Sequence, residues 1–494
     1  MGKYDRQCDV VVVGSGMGGL ISALALAKEG KNVEIIEQGA RLGGYFTDFK
    51  RNNFYFEPCL HVLGECEKDG LLNNILEELG LRDKIEFDKV SYTLVTPKGS
   101  IILPTNPDEI ISVLLQQFPD EEKGLKEFLN TTKVIHDDFL KFPSPSPVIE
   151  KYKDKTFKEL LDEFLKSEEL KHMLLAAWLF LQLPPSKASA ITSSVFEWIY
   201  LFSQGGFWPR GGSKAVLGAF SKKLEKAQTR MTLKTKVTKI VVENGRAVGV
   251  ETEKGERIKA DFVISNAAAR QTFLDLVGEK ELDNDFANDL KQKGIALSSF
   301  CVFLGVEMDL EKLNITSQIF VNNSPKSYDE DYEDVLKGEV SDYIILTIPT
   351  LLDPGISPGR NKHNVTIYTY SPYCLEGRDW KTEREKVTDK IIRKAEEVIP
   401  DLSKHILVKN SATPLTMERY TLNTEGATTG WRQTPETTIG RPQQKSPIEN
   451  LYLVGHWTMP GGGYMLAAKS GIDAAKLILN FKTPGARISN DKMI

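Results

Sequence analysis

The chain has 494 residues, of which 41% are hydrophobic and 27% are charged, and its 63 basic and 68 acidic residues give a formal net charge of −5. This composition is typical of a folded globular protein with several domains, and it excludes a disordered chain, a fibrous protein and a single small binding module. The mildly acidic balance, without dense Lys/Arg blocks, argues against nucleic acid as a partner.

The N-terminal residues 1–7 are charged and lack the apolar core of a secretory signal. The cysteines are few, odd in number and free of C-x-x-C spacing, which is typical of reduced thiols. We therefore expect a cytoplasmic protein. Cys59, His61 and Cys66 lack a fourth ligand and paired spacing, so we predict no metal site.

The first predicted elements form a βαβ unit. The β-branched residues 9–13 predict a strand, the Ala/Leu-rich residues 20–28 a helix, and residues 33–37 a second strand. The turn between the first strand and the helix carries the motif G-x-G-x-x-G, formed by Gly14, Gly16 and Gly19.

Each residue of this motif has a physical role in dinucleotide binding. Gly14 permits the tight turn, Gly16 lets the backbone approach a pyrophosphate, and Gly19 allows close packing of helix on strand. The helix N-terminus offers N–H groups to the anion. Glu37, 23 residues after Gly14, would accept hydrogen bonds from a ribose. The spacing predicts a dinucleotide site.

The middle of the chain carries few nucleotide-binding signals. Residues 70–200 and 276–445 mix predicted helices, such as 155–170, with predicted strands, such as 298–306 and 343–348. We expect these stretches to form a discontinuous second domain inserted into the first.

Two further segments of this region stand out by composition. The acidic run 328–334 is expected to be a solvated loop. The longest apolar stretch, 173–183, is too short to span a bilayer and is expected to be a core helix. A wall of an apolar pocket and a surface that dips into lipid are the alternatives.

The later elements return to the first domain. Residues 236–260 predict a three-stranded meander with a tight turn at Asn244–Gly245, followed by a separate buried strand at 261–265. A last buried strand is predicted at 450–454, and an Ala-rich helix at 466–479. No repeat of fixed period is evident.

The residues after Glu37 carry a resemblance to a known family. The string E-Q-G-A-R-L-G-G at 37–44 resembles the extended FAD fingerprint of glutathione-reductase-like flavoproteins. The resemblance is strongest to the branch of the flavin amine oxidoreductase superfamily that holds phytoene desaturases, carotenoid isomerases and retinol saturases. A second G-x-G-x-x-G for a nicotinamide domain is absent from the sequence, which favours FAD over NAD.

Four more segments extend the resemblance over most of the chain. They are G-G-F-W-P-R-G-G at 205–212, T-K-V at 235–237, D-P-G-I-S-P-G at 353–359 and the Gly-rich stretch at 450–471, which is similar to the C-terminal FAD motif. The resemblance implies that FAD is the cofactor and is bound by Gly14, Ser15, Gly16, Gly18, Gly19, Glu37, Gln38, Arg41, Gly43, Gly44, Val237, Gly455, His456, Gly463, Met465 and Leu466. Arg41 would lie near the pyrophosphate and Val237 against the adenine.

The sequence departs from the family pattern at two places. Many relatives carry an acidic residue where His456 follows Gly455, and Glu57 begins E-P-C-L-H where relatives commonly show D-x-G. His61, His456 and Tyr464 are the candidate catalytic residues because they lie near FAD motifs, although the flavin itself is the redox centre. The alternatives are a turn residue for His456 and a packed loop residue for His61.

The resemblance also implies the fold. We expect an α/β protein with a glutathione-reductase-like Rossmann FAD-binding domain, made of a parallel sheet plus a three-stranded meander, and an inserted α+β substrate domain. The FAD-binding domain is assigned to 1–70, 200–275 and 445–482, the substrate-binding domain to 71–199 and 276–444, and a flexible tail to 483–494.

The leading hypothesis is an FAD-dependent oxidoreductase that saturates or desaturates carbon–carbon bonds of a lipophilic polyene or isoprenoid. An apolar tunnel is suggested by a group of aromatic residues, although such groups are more often core: Trp178, Phe180, Phe196, Trp198, Tyr200, Phe202, Phe207 and Trp208. Since such a substrate resides in membranes, we also expect peripheral membrane contact through part of 173–210. The oligomeric state stays open.

Other hypotheses remain. Within the same fold they are a flavin-dependent carotenoid cis-trans isomerase, then an amine oxidase, and, outside enzymes, a prenyl-binding carrier. The G-x-S-x-G match at 355–359 does not indicate a serine hydrolase, because Pro358 has no N–H to act as an oxyanion donor.

Overall fold

The computed structural model describes residues 4–174 and 178–480. The strands, numbered in chain order, are β1 Arg6–Val13, β2 Val33–Ile36, β3 Phe49–Arg51, β4 Phe54–Phe56, β5 Leu63–Gly64, β6 Phe87–Val90, β7 Tyr92–Thr96, β8 Gly99–Leu103, β9 Gly206–Pro209, β10 Arg230–Thr232, β11 Val237–Glu243, β12 Arg246–Thr252, β13 Arg257–Ser265, β14 Ser298–Glu307, β15 Gln318–Val321, β16 Ile344–Thr347, β17 Lys362–Ser371, β18 Ile406–Ala412 and β19 Leu451–Leu453.

The α-helices are α1 Met17–Lys28, α2 Leu71–Glu78, α3 Pro107–Gln117, α4 Glu122–Phe139, α5 Pro147–Tyr152, α6 Phe157–Phe164, α7 Glu168–Leu174, α8 Trp178–Leu181, α9 Ala190–Glu197, α10 Gly212–Lys226, α11 Asn284–Gln292, α12 Tyr328–Leu336, α13 Trp380–Ala395, α14 Pro414–Thr421, α15 Pro435–Ile439 and α16 Tyr464–Leu479. Two π-helical segments, Trp198–Phe202 and Gln271–Gly278, are also present.

The first sheet is built on the predicted βαβ unit. Its strand order is β10-β2-β1-β13-β12-β11, with β19 also paired to β13. Strands β10, β2, β1, β13 and β19 are parallel, whereas β11 and β12 form an antiparallel extension. Val10, Val11 and Val12 of β1 are fully buried because both faces of the sheet are covered, as in other parallel sheets.

One strand serves both parts of this sheet. Lys259 in the first half of β13 pairs with Gly249 of β12, and Val263 in its second half pairs with Leu451 of β19. The three-stranded meander β11-β12-β13 is confirmed, but the prediction of a separate strand at 261–265 is wrong, because these residues continue β13. A single nine-residue strand has different neighbours along its length, which a linear pattern does not reveal.

The second sheet has the order β18-β14-β17-β16-β15-β7-β8. All its neighbouring strands are antiparallel except β15 and β7. The ring of Trp380, at the start of α13, stacks on Phe300 with centroids 5.5 Å apart, and this helix covers one face. On the other face, Phe303 contacts Phe49 and Phe56, which come from the N-terminal part of the chain.

Two small sheets lie beside these large ones. Strands β3 and β4 form a hairpin, and β5-β9-β6 form a three-stranded sheet. The first large sheet uses only residues assigned to the FAD-binding domain, and the second only residues assigned to the substrate domain. The boundaries between the two stay a prediction.

The structure differs from the expected loop at 328–334 and from the expected single helix at 155–170. The acidic run 328–334 is helical, because Ser327 and Glu330 form a capping box at the start of α12 and the helix buries Asp331 and Tyr332. The expected helix 155–170 is two helices, α6 and α7. The chain is extended at Leu165, and the buried Glu121 carboxylate accepts the N–H group of Lys166 at 3.0 Å.

The apolar stretch 173–183 is not described as one helix. It spans the end of α7 and the short α8, with 175–177 outside the described residues. The expected tail at 483–494 also lies outside them. None of the described helices is long and apolar enough to cross a membrane.

Candidate functional site

A cavity of about 210 Å³ is lined by residues of both large sheets and of their connecting loops. One end is formed by turns that follow strands of the first sheet, among them 14–18 and Gly455. The other end is formed by His61 and by aromatic side chains, including Phe180 and Tyr368. The cavity thus joins a polar, glycine-rich end to an aromatic end.

The glycine turn leaves no space for side chains. A Cβ on Gly16 would lie 2.4 Å from Asn266 Nδ2, and a Cβ on Gly19 would lie 2.3 Å from the Gly14 carbonyl oxygen. Helix α1 starts at this turn without a side-chain cap and without an acidic residue in its first turn. Its N-terminus is therefore suited to an anion such as a pyrophosphate.

Glu37 holds the turn from the end of β2. Its Oε2 accepts hydrogen bonds from the Ser15 N–H at 2.8 Å and the Ser15 hydroxyl at 2.6 Å, and its Oε1 accepts from the Gly39 N–H at 2.6 Å. Ser15 also contacts Gly43, whose N–H lies 3.2 Å from the Ser15 oxygen. Gln38, Gly43, Gly44 and Val237 line the cavity beside this network.

The C-terminal motif meets the same cavity. Gly455 and Gly463 line it, and helix α16 begins after Gly463 without a side-chain cap. The N–H of Gly455 donates to the Ser470 hydroxyl at 2.8 Å, and the Arg441 guanidinium donates to the His456 carbonyl at 3.0 Å. These bonds fix the turn that faces the glycine loop.

Four of the residues predicted to contact FAD do not line the cavity. Gly19 supports the packing of α1, and Met465 and Leu466 are 1% exposed core residues. Arg41 is 63% exposed and its guanidinium contacts Asp48 at 3.6 Å. The structure therefore does not bring the Arg41 guanidinium to the glycine turn.

His456 is a fixed neutral ring. Trp457 Nε1 donates to Asn423 Oδ1 at 2.6 Å, so this oxygen is an acceptor and His456 Nε2, at 3.1 Å from it, donates. Burial and the nearby Arg441 lower the pKa of His456 to about 3. The ring can orient a partner, but it is uncharged near neutral pH and therefore has no imidazolium proton to transfer.

Tyr464 packs at the junction of the two ends. Its hydroxyl donates to the Tyr45 carbonyl at 3.3 Å, and its ring meets Phe46 edge to face with centroids 4.9 Å apart. Burial raises the pKa of Tyr464 well above its ordinary value. It is a neutral wall of the cavity, and its catalytic role stays a prediction.

His61 lines the aromatic end. Its Nδ1 lies 2.9 Å from the Thr347 hydroxyl, and its ring is flanked by Tyr368 and Phe180 with centroids 5.0 and 5.9 Å away. Burial lowers the pKa of His61 to about 4, so the ring is neutral at physiological pH.

The predicted aromatic group divides between cavity and core. Phe180, Phe196 and Tyr200 line the cavity, whereas Phe202, Phe207 and Trp208 are buried elsewhere. Trp198 packs near His136, and the side chain of Trp178 lies outside the described residues.

Sequence reasoning missed Asn266 and Asn423. Asn266 Oδ1 accepts the Gly19 N–H at 3.1 Å. A Cβ on Gly16 would lie 2.4 Å from Asn266 Nδ2, and a Cβ on Gly455 would lie 2.9 Å from Asn266 Oδ1. The sequence contains a signal for Asn266, because this residue directly follows the buried strand β13, at the edge where parallel strands end and ligands bind. Asn423, which bonds to His456 and Trp457, had no such signal because it is remote in sequence.

Glu57, in the departing E-P-C-L-H segment, caps a helix rather than lining the cavity. Its Oε1 accepts the Ser213 N–H at 2.9 Å at the start of α10, whose N-cap residue Gly211 has no side chain. Its Oε2 is buried and has no partner among the described residues. Burial raises the pKa of Glu57 to about 8.

We expect the Glu57→Gln protein to lose less stability than wild type when the pH is raised from acid to alkaline. Because the pKa of Glu57 is higher in the folded state than in the unfolded state, its contribution is complete at acid pH and is lost as pH rises through about 8. Gln keeps an acceptor oxygen for Ser213 but does not ionise. Thermal unfolding of the holoprotein at pH 6 and pH 9 should show a smaller fall in Tm for the variant. Glu225→Gln, on the exposed part of the same helix, should behave like wild type.

The residues present fit a dinucleotide with an adenosine end. The glycine turn, the uncapped helix N-terminus and the Glu37 carboxylate are suited to a pyrophosphate and a ribose, and a Cβ at Gly16 would fill the cradle. The turn at Gly455 and the start of α16 extend the site toward the aromatic end.

Comparison with known proteins agrees with this geometry. The sequence profile of the flavin containing amine oxidoreductases matches residues 17–479. Prolycopene isomerase of Daucus carota is 28% identical over 512 residues, covering 97% of this chain and 82% of that protein. All-trans-retinol 13,14-reductase of Danio rerio is 24% identical over 541 residues, covering 97% and 87%. The solved structure of putrescine oxidase bound to putrescine has a TM-score of 0.68 at 16% identity, covers 96% of this chain and 99% of its own, and shares the fold.

Proposed function

The chain belongs to the flavin containing amine oxidoreductase family and is an FAD-dependent oxidoreductase, and from this premise we propose that it saturates or desaturates carbon–carbon bonds of a lipophilic polyene. The observation that carries the proposal is the aromatic end of the cavity. Phe180, Phe196, Tyr200 and Tyr368 line it, and such flat apolar walls suit a conjugated hydrocarbon chain.

The charges of the cavity argue against an amine substrate. Among the described lining residues only Glu37 and Lys236 are charged. Glu37 is bound to Ser15 and Gly39 at the glycine turn, so among the described lining residues no carboxylate faces the aromatic end. An alkylammonium group would lie there without a counter-ion, which is costly in an apolar site.

The relatives support the same substrate class. The carrot and zebrafish proteins are named for an isomerisation of prolycopene and a reduction of all-trans-retinol, and this chain matches both over nearly its whole length. The isomerase name supports a second candidate function, a cis-trans isomerisation without net redox change.

FAD held at this site would supply the redox chemistry, which is hydride transfer to or from the substrate. The chain provides the rest. The glycine turn and Glu37 bind the adenosine end, the neutral rings of His456 and Tyr464 form fixed walls, and the aromatic residues exclude water and orient the chain of the substrate.

Anaerobic flavin spectroscopy tests the proposal. The holoprotein, oxidised or reduced with dithionite, is mixed with all-trans-retinol, with prolycopene and with putrescine. We expect a polyene to exchange electrons with the flavin, by bleaching the oxidised form or reoxidising the reduced form, and putrescine to leave the spectrum unchanged.

The other outcomes favour the alternatives. If a polyene changes its cis-trans geometry while the flavin shows no net oxidation or reduction, the protein is an isomerase and the proposed saturation or desaturation is wrong. Rapid bleaching by putrescine would indicate an amine oxidase. A chain that takes up no flavin when titrated with FAD would be a carrier.

We also propose that the protein meets its substrate at a membrane surface. Nearly all described side chains from 188 to 202 are buried, and Trp198 is partly exposed. Contact of this segment with a membrane would therefore involve the partly exposed Trp198 at its surface. Flotation with liposomes at low and high salt tests the proposal, and a protein that stays at the bottom under both conditions would overturn it. The carrot relative is named as chloroplastic, and a cytoplasmic location of this chain stays a prediction.

A further inference from the structure

One ring nitrogen at the aromatic end of the cavity lacks a protein partner. His61 is 6% exposed and lines the cavity, and its Nε2 has no hydrogen-bond partner among the described residues. Its neighbours in the ring contacts are Phe180 and Tyr368. A buried polar atom without a partner is destabilising, which makes this position a candidate binding point.

The second sheet fixes the other side of the ring. His61 Nδ1 lies 2.9 Å from the Thr347 hydroxyl, which lies 3.1 Å from Gln318 Oε1. Thr347 on β16 and Gln318 on β15 are directly opposite each other in the sheet, and both are buried. The chain His61–Thr347–Gln318 is therefore anchored on strands, so Nε2 keeps its direction.

The amide nitrogen of the neighbouring Gln182 is already engaged, whereas Gln182 Oε1 and Gln318 Nε2 have no partner among the described residues but belong to side chains that do not line the cavity. Gln182 Nε2 donates to the Tyr368 hydroxyl at 2.8 Å and to the Thr428 hydroxyl at 3.0 Å. Among the described residues that line the cavity, His61 Nε2 and Thr429 Oγ1 are the buried side-chain polar atoms without a hydrogen-bond partner. Of the two, His61 is the one flanked by the rings of Phe180 and Tyr368.

We propose that His61 Nε2 binds a hydroxyl group of the substrate, so that the enzyme acts on a polyene alcohol in preference to a polyene hydrocarbon. This inference rests on the proposed function and narrows its substrate class. A hydroxyl both donates and accepts, so it fits Nε2 in either tautomer of the ring. A site built to bond a hydroxyl discriminates against the analogue that lacks it, because the buried partner is then left unpaired.

The test compares two probes that differ in one group. All-trans-retinol and its hydrocarbon analogue, in which CH₃ replaces CH₂OH, are titrated into the oxidised holoprotein, and the Kd is read from the flavin absorbance change or from probe fluorescence. We expect the alcohol to bind at least about tenfold more tightly than the hydrocarbon. His61→Phe should reduce this ratio to about threefold or less and leave the Kd of the hydrocarbon nearly unchanged.

A positioning variant gives an independent check. Thr347→Val keeps the side-chain shape but removes the bond to Nδ1, and we expect it to lower the alcohol preference while FAD content stays that of wild type. The matched control is Thr350→Val, because Thr350 bonds in the same way to Nδ1 of His363, whose ring does not line the cavity, whereas that of His61 does. If the His61→Phe protein does not hold FAD, the alcohol preference of the Thr347→Val protein, compared with that of the Thr350→Val protein, tests the proposal instead.

The outcomes separate the two proposals. Equal binding of both probes by wild type, or a preference that survives both His61→Phe and Thr347→Val, overturns the role of His61 while polyene chemistry stands. If neither probe binds and putrescine reduces the flavin, the proposed function itself fails.

Discussion

Gly19→Ala will yield a protein that has lost most of its FAD. The added Cβ would lie 2.3 Å from the Gly14 carbonyl oxygen, and because this neighbour is backbone, α1 must move away from β1. The helix N-terminus then leaves the position from which it faces the cavity. Overpacking of this kind costs about 1–3 kcal/mol, and we expect the Kd for FAD to rise at least about tenfold. The ratio of absorbance at 450 and 280 nm and the thermal unfolding curve measure both effects.

Gly218→Ala is the matched control for this substitution. Gly218 lies inside α10, and a Cβ there meets nothing within 4 Å. Alanine stabilises an exposed helix position by roughly 1 kcal/mol relative to glycine, so this variant should keep its FAD and unfold at the same or a slightly higher temperature. A Gly19→Ala protein with wild-type FAD content would contradict the packing of α1 on the glycine turn.

Glu37→Ala will weaken FAD binding about 10- to 100-fold. The substitution removes the carboxylate that accepts hydrogen bonds from Ser15 and Gly39 and that we propose as the acceptor for the adenosine ribose. Hydrogen bonds to a charged group contribute about 1.5–3 kcal/mol each, and the glycine turn loses its support at the same time. Equilibrium titration of the apoprotein with FAD, followed by flavin fluorescence, gives the Kd.

Glu29→Ala controls for the loss of an acidic residue near the same unit. Glu29 is exposed at the C-terminal end of α1, and a surface substitution of this type changes stability by only about 0.5 kcal/mol. Its Kd for FAD should equal that of wild type. A Glu37→Ala protein that binds FAD as tightly as the Glu29→Ala protein would show that Glu37 does not contact the cofactor.

The polar end of the site was predictable because its residues are close in sequence. Gly14, Gly16, Gly19 and Glu37 belong to one βαβ unit, and their spacing alone implies which groups face a dinucleotide. The prediction of Arg41 near the pyrophosphate came from resemblance, and the structure instead places this exposed side chain beside Asp48.

The aromatic end was only partly predictable. Phe180, Phe196 and Tyr200 were among the suggested aromatic residues, but the same group included Phe207 and Trp208, which are core residues. Apolar residues follow the same pattern whether they face a cavity or a core, so periodicity does not separate them.

The amino-acid sequence alone was sufficient to predict a dinucleotide site, the βαβ unit and the glycine turns, because these depend on residue types at short, fixed spacings, whereas FAD as the dinucleotide was predicted from the family resemblance and the lack of a second G-x-G-x-x-G. The three-dimensional structure was needed to show how β13 divides between two partners and that 328–334 forms a helix. It also decided that His61 meets Thr347 and Gln318 across the second sheet. These features depend on contacts between residues far apart in the chain, and the free energy of such contacts is not encoded in any local pattern.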